Sequence, residues 1–169
     1  KLGAPILSDI SSNIHSHNNV ISYYDHFITQ IKPDIIFRFG KKPLSKNLNQ
    51  LISDFKKITY LITKRSVFND DAANVIRLSA NELLKSLNKN CFANQSWLEL
   101  FKENENTTEE KISTHLRNKK IHEYNFAVNF IDYIPENSNV FIGNSLMIRT
   151  FDSYSKRSNK NICFFSNRG

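Results

Sequence analysis

Short apolar runs alternate with amphipathic stretches from one end of this chain to the other. Pro5-Ile6-Leu7, Ile35 to Phe39, Ile58 to Ile62, Val75 to Leu78, Val140 to Ile142 and Ile162 to Phe165 read as six strands. They are rich in Ile, Val and Phe and lack strict alternation, as expected of strands buried on both faces of a parallel sheet. Between them, Tyr23, Tyr24, Phe27, Ile28 and Ile31 recur at helical spacing and predict a helix that Pro33 ends. Ser45 is placed to cap a helix carrying Leu48, Leu51, Ile52 and Phe55. Three capping boxes, Ser79 with Glu82, Ser96 with Glu99 and Thr107 with Glu110, each predict a helix start. The polar stretch from Lys102 to Glu110 reads as a solvated connection. Tyr124, Ala127, Val128, Ile131 and Ile134 line one face of a later helix, stopped by Pro135. Strands alternating with helices predict an α/β fold: a Rossmann-like, doubly wound, mainly parallel sheet of about six strands flanked by helices.

The composition fits a globular protein, with 40% hydrophobic and 23% charged residues in 169. No apolar run reaches the length of a membrane span and no secretory leader is evident, which predicts a cytoplasmic protein with no membrane partner. Cys91 and Cys163 fit no disulfide framework or metal spacing and are expected to be free thiols. The formal charge is +7. The lysines, however, are scattered beside asparagine and serine, the pattern of a solvated face rather than of a nucleic-acid interface. Beginning at lysine and ending on Asn167-Arg168-Gly169, the chain reads as a piece of a longer protein.

In open α/β sheets, ligands sit beyond the carboxyl ends of the strands. Two segments take that position. In Gly143-Asn144-Ser145-Leu146-Met147-Ile148-Arg149, a strand gives way to a helix whose free N–H groups suit an anion, and an arginine follows one turn later. In Arg38 to Lys46, Gly40 permits a tight turn and Lys46 opens a helix, a position unfavourable to a cation unless it meets an anion. Arg168, after the last strand, is a third cation at a strand end. His15, His17, Asp25 and His26 are the nearest approach to metal ligands, and no later Cys or His completes a set, so no metal ligand is assigned. Tyr23, Tyr24 and Trp97 read as packing residues. Neither a dinucleotide fingerprint nor a P-loop is present, and no Ser-His-Asp or Cys-His arrangement stands out, so no catalytic residue is assigned within the chain.

Four segments occur in order: Pro5-Ile6-Leu7-Ser8-Asp9; Pro33 to Lys46, with its R-F-G-x-x-P-x-S-K pattern; Gly143 to Arg149, with G-N-S-x-x-I-R; and Asn167-Arg168-Gly169. Together they make the chain resemble the 2-succinyl-5-enolpyruvyl-6-hydroxy-3-cyclohexene-1-carboxylate synthases of menaquinone (vitamin K2) biosynthesis. The resemblance implies three α/β domains in the whole enzyme. Residues 1–169 would form the middle domain, with about 118–169 leading into the diphosphate-binding domain. It implies a transferase that depends on thiamine diphosphate and Mg²⁺. This enzyme decarboxylates 2-oxoglutarate and joins the resulting succinic semialdehyde unit to isochorismate, and it works as a homo-oligomer. It assigns substrate contacts to Lys46, Asn144, Ser145, Arg149 and Arg168, and a place beside the cofactor diphosphate to Ser145 and Leu146.

The resemblance also implies what lies elsewhere. The acidic residue that activates thiamine belongs to the N-terminal domain, and the Mg²⁺ ligands lie beyond Gly169, so the chain alone is expected to be inactive. Met147 stands where the family usually has proline and Thr150 where it usually has an acidic residue, neither being an anion contact. Without the resemblance, the same basic charge and anion sites also fit a free-standing α/β module that binds a small carboxylate or an acidic partner.

Overall fold

The computed structural model describes residues 3–14, 17–65, 72, 74–86, 95–117, 123–156 and 158–167. It divides into two compact units: one formed by Lys1–Leu2 and Ile28–Ala93, the other by Gly3–Phe27 and Asn94–Gly169. The α/β class and the parallel pairing expected from the sequence are present. The single sheet of about six strands is not. Among the described residues, seven strands form three parallel sheets of two, three and two strands. No helix among the described residues is long and apolar enough to cross a membrane.

The unit built on Ile28–Ala93 holds β3 (Ile36–Phe39), β4 (Thr59–Ile62) and β5 (Asn74–Ile76) in one sheet with β4 in the middle. The central position buries Thr59, Leu61 and Ile62, and Leu61 is 0% exposed. Gly40 ends β3 at φ +79°, where a side chain would be strained although nothing would obstruct it. α1 (Lys46–Asp54) then begins as expected, with Ser45 Oγ accepting from the Leu48 N–H at 2.9 Å. Asn49 Nδ2 donates to the carbonyls of Pro43 and Ser45 at 2.7 and 2.6 Å and holds the preceding loop to the helix. α2 (Ala80–Ser86) starts with the capping box at Ser79 and Glu82. Hydrogen bonds from Lys64 and from Ser79 lower the Glu82 carboxyl to about 2.

In the other unit, β1 (Ile6–Leu7) pairs with β2 (Val20–Ile21), a strand too short to be read from its pattern. The helix expected from Tyr23 to Ile31 is instead two 3₁₀ turns, Tyr24–His26 here and Ile28–Gln30 in the first unit. The five apolar residues are buried as the spacing required. Three β-branched residues, Ile28, Thr29 and Ile31, disfavour one continuous helix.

The polar stretch Lys102–Glu110 is no connection. It lies inside α3 (Gln95–Arg117), so the Thr107–Glu110 box marks no helix start. Ser96 marks the start of α3 to within one residue. Asn104 Nδ2 donates to the Leu100 carbonyl and Thr108 Oγ1 to the Asn104 carbonyl, which satisfies these side chains without breaking the helix. Leu98, Phe101 and Glu105 form the buried stripe of α3. α4 (Glu123–Tyr133) leads to β6 (Ser138–Ile142), then α5 (Leu146–Tyr154) and β7 (Ile162–Ser166), with β6 and β7 parallel over five residues. Lys160 Nζ closes the end of α4 by donating to the carbonyls of Ile131, Asp132 and Ile134. Phe141 and Phe165 face each other across that sheet, 63% and 47% exposed.

Beside β7, one side chain stands where a neighbouring strand would pair. Asn13 Oδ1 accepts from the Phe164 N–H at 2.7 Å, and Asn13 Nδ2 donates to the Phe164 carbonyl at 3.2 Å. The amide thus makes the bonds a neighbouring strand would make beside β7. Asn13 sits at φ 59°, a left-handed conformation that asparagine tolerates. Replacing Asn13 by glycine keeps that backbone and removes only the bridge, so a loss of about 1–3 kcal/mol in urea denaturation is expected. Asn13→Ala adds left-handed strain and is expected to lose more. Stabilities equal to wild type for both variants would show that the bridge contributes nothing.

Candidate anion site at the turn between strand β6 and helix α5

β6 ends on buried Ile142, and Gly143, Asn144 and Ser145 carry the chain over an exposed turn into α5. Ile148 and Phe151 are 5% and 2% exposed and hold the inner face of α5. That leaves Leu146 and Arg149 on its outer side, so the turn and the first helical turn form one accessible surface. Ser145 occupies the cap position at φ 70°, ψ −122°, a conformation that favours glycine and costs a serine on the order of 1–3 kcal/mol. Its hydroxyl makes no capping bond. Ser145 therefore does not give the first N–H groups of α5 the side-chain acceptor that Ser45 provides for α1. Arg149 is exposed and has no ion-pair partner among the described residues. A helix start without a side-chain cap, a free hydroxyl and a planar two-pronged cation one turn later can hold a carboxylate or a phosphate.

The structure brings Asn144, Ser145, Leu146 and Arg149 together on this turn. Lys46 stands exposed at the first position of α1, in the unit built on Ile28–Ala93. Arg168 lies outside the described residues, as do His15 and Cys91. His17 Nδ1 accepts from the Asn19 N–H, and the His26 ring meets the Ser153 carbonyl at 3.0 Å and the edge of Tyr154. Among the described residues no group of His, Cys, Asp or Glu could hold a metal ion.

Sequence reasoning missed Asp152, which lies on the inner face of the same helix at 7% exposure. Its Oδ1 accepts from the Ile10 N–H at 2.7 Å, and its Oδ2 accepts from Tyr24 Oη at 3.4 Å. Burial, and then the carboxylates of Asp9 and Asp25, push the Asp152 carboxyl up to about 7 against those two hydrogen bonds. Burial and the same acidic neighbours raise the Tyr24 phenol well above its ordinary range. The available signal was one acidic residue four positions after Ile148, on the apolar stripe of α5.

The native state keeps the Asp152 proton up to about pH 7, whereas an ordinary aspartate loses it near 3.8. Between those values the folded chain binds the extra proton, so stability is greatest on the acid side, falls as pH rises through the window and levels off above it. Asp152→Asn is expected to remove that slope, so its stability relative to wild type rises by about 2–4 kcal/mol from pH about 4 to pH about 7 in denaturant titrations. Parallel stability curves for the two proteins would overturn the assignment.

No protein-family model matches the chain. Curated proteins named 2-succinyl-5-enolpyruvyl-6-hydroxy-3-cyclohexene-1-carboxylate synthase do. The one from Listeria welshimeri is 28% identical over 187 aligned residues, covering 100% of this chain and 32% of the relative. That of Bacillus cytotoxicus is 29% identical over 185, with 100% and 32% covered. That of Psychromonas ingrahamii is 32% identical over 178, with 98% and 30% covered. The chain spans about a third of the length of the curated relatives it matches. The family likeness carried by its ordered motifs therefore extends along the whole of this chain, as a likeness to one segment of those synthases.

Proposed function

We propose that this chain is a segment of a thiamine-diphosphate-dependent 2-succinyl-5-enolpyruvyl-6-hydroxy-3-cyclohexene-1-carboxylate synthase of menaquinone biosynthesis, a cytoplasmic homo-oligomer. It supplies the middle domain and, from about residue 118, the approach to the diphosphate-binding domain. The full enzyme decarboxylates 2-oxoglutarate and adds the four-carbon product to isochorismate. The observation that carries this reading is the turn between β6 and α5, where Arg149 stands one helical turn beyond the uncapped, strained Ser145. The likeness to the named synthases supports it.

The residues fit a diphosphate-bearing cofactor and carboxylate substrates. The N–H groups at the start of α5, with Ser145 and Leu146, would face the diphosphate. Asn144 and Ser145 would donate hydrogen bonds to substrate oxygens. Arg149 would hold a carboxylate with two parallel N–H donors, and Lys46 and Arg168 are each assigned a substrate contact by the family likeness. Bound thiamine diphosphate supplies the electron sink for decarboxylation. This chain's own contribution is to orient carboxylates and to balance their charge. Mg²⁺ and the acid that activates the cofactor belong to the rest of the enzyme.

In full-length synthase, Arg149→Ala and Lys46→Ala are each expected to lower kcat/KM by about 10- to 100-fold, the worth of ~1.5–3 kcal/mol of charge-assisted hydrogen bonding. Steady-state kinetics on the purified variants measures this. Wild-type values for both would refute the anion-site assignment.

A further inference from the structure

Arg149 is placed by the helix that carries it, and that helix is tied down three residues later. Asp152 and Arg149 share α5, a single helix of nine residues, so whatever shifts one carries the other. The tie is to a part of the chain that is remote in sequence, the Ile10 N–H at 2.7 Å, across 142 residues. Ile148 and Phe151 seat the helix by apolar contact, which fixes depth but leaves sliding and rotation soft. A buried hydrogen bond to a main-chain N–H is directional and removes that freedom.

We propose that Asp152 is a positioning residue for anion binding at the turn between β6 and α5: its carboxyl anchors α5 to the Ile10 backbone and so sets where Arg149 and the helix start meet a bound carboxylate. This rests on the reading of that turn as an anion site.

The surroundings of Asp152 make anion binding on this helix sensitive to its proton. Asp9 follows β1, and Tyr24 and Asp25 belong to the 3₁₀ turn that packs on α5. Asp25 itself accepts from Ser153 Oγ at 3.2 Å. His26, on the same turn, meets the Ser153 carbonyl. From α4, Tyr124 stacks on Tyr154, and Asp132 is paired with Lys156 at 2.7 Å. Glu105 of α3 holds the Ser22 N–H at 2.6 Å. Lys156 and Lys160 line a cavity of ≈ 30 Å³ beside Asp152, room for about one water molecule. Lys156 is committed to Asp132, and Lys160 to the carbonyls closing α4. When Asp152 ionises it becomes a third negative charge beside Asp9 and Asp25. Ionisation strengthens the bond from the Ile10 N–H, but the new charge sits on the helix that must hold an anion and opposes that binding.

The test is calorimetric binding of succinate, a plain dicarboxylate probe, to full-length synthase between pH about 6 and pH about 8.5. Wild-type affinity is expected to fall by about tenfold as pH rises through about 7, a change worth one pKa unit of coupling. Asp152→Asn preserves the acceptor for the Ile10 N–H and cannot ionise, so its affinity is expected to match the low-pH wild type and stay flat. Asp152→Ala is expected to bind more weakly at every pH. A pH slope that survives in Asp152→Asn would overturn the proposal. So would an Asp152→Asn profile identical to that of wild type. Arg149→Ala in the same assay separates the two readings. If it binds succinate like wild type, the anion site itself is wrong. If it loses binding while both Asp152 variants behave as wild type, only the positioning role fails. Should Asp152→Ala unfold, as a thermal melt will show, the Asp152→Asn profile decides alone.

Discussion

The unit that carries the turn between β6 and α5 depends on polar side chains that grip backbone groups far away in sequence. Asp152 holds the Ile10 N–H, Glu105 holds the Ser22 N–H, and Asn13 takes both backbone groups of Phe164. Each grip satisfies main-chain groups that a wider sheet would otherwise have paired, and burying them unpaired would cost about 1–3 kcal/mol apiece. Three grips of this kind stitch residues 3–27 to the part of the chain beyond residue 94. The apolar core of Ile10, Ile21, Tyr24 and Phe101 then closes over a framework whose alignment is already set.

α5 is where this framework becomes chemistry. Its inner face is divided between apolar contacts that decide how deep it sits and one carboxyl that decides how it is aligned. Its outer face presents an open helix start and a cation. At Ser145 the strained, left-handed backbone goes with a hydroxyl that does not cap the helix, in contrast to the extended Ser45 that caps α1. Fixed, unsatisfied donors aimed at one place are the means by which a protein binds charge without having to reorganise.

Much of this architecture can be read locally, and the rest fails for a common reason. Ser45, Ser79 with Glu82, and Pro135 act within one turn of themselves, so their pattern and their role coincide. The same holds for β6 and β7, whose apolar runs need nothing distant to declare them. Thr107 with Glu110 shows the limit of such reasoning. A capping signature on the exposed side of α3 costs nothing there, so the pattern carries no information about where the helix begins. β2 owes its form to a partner elsewhere in the chain, and the two 3₁₀ turns show apolar spacing outvoted by β-branched residues. One continuous sheet is not found among the described residues, and beside β7 the Asn13 side chain takes the place of a strand. Asn144, Ser145 and Arg149 could be placed on one turn from sequence because strand end, turn and helix start are contiguous. Asp152 was not legible in this way, because its significance lies in residues 142 positions away.

That separation also has a temporal side. The partner of Ile10 is made late, since α5 and β7 emerge from synthesis more than a hundred residues after β1. At ordinary elongation rates the N-terminal segment waits roughly 7–30 s for Asp152 to exist. During that interval Ile10, Val20, Ile21 and Tyr24 have no native surface from the later half of the chain to cover them, and the short β1–β2 pair is too small to persist alone. The unit therefore completes itself only at the end of its own translation, which makes its first residues clients for whatever shields nascent apolar chain at the ribosome.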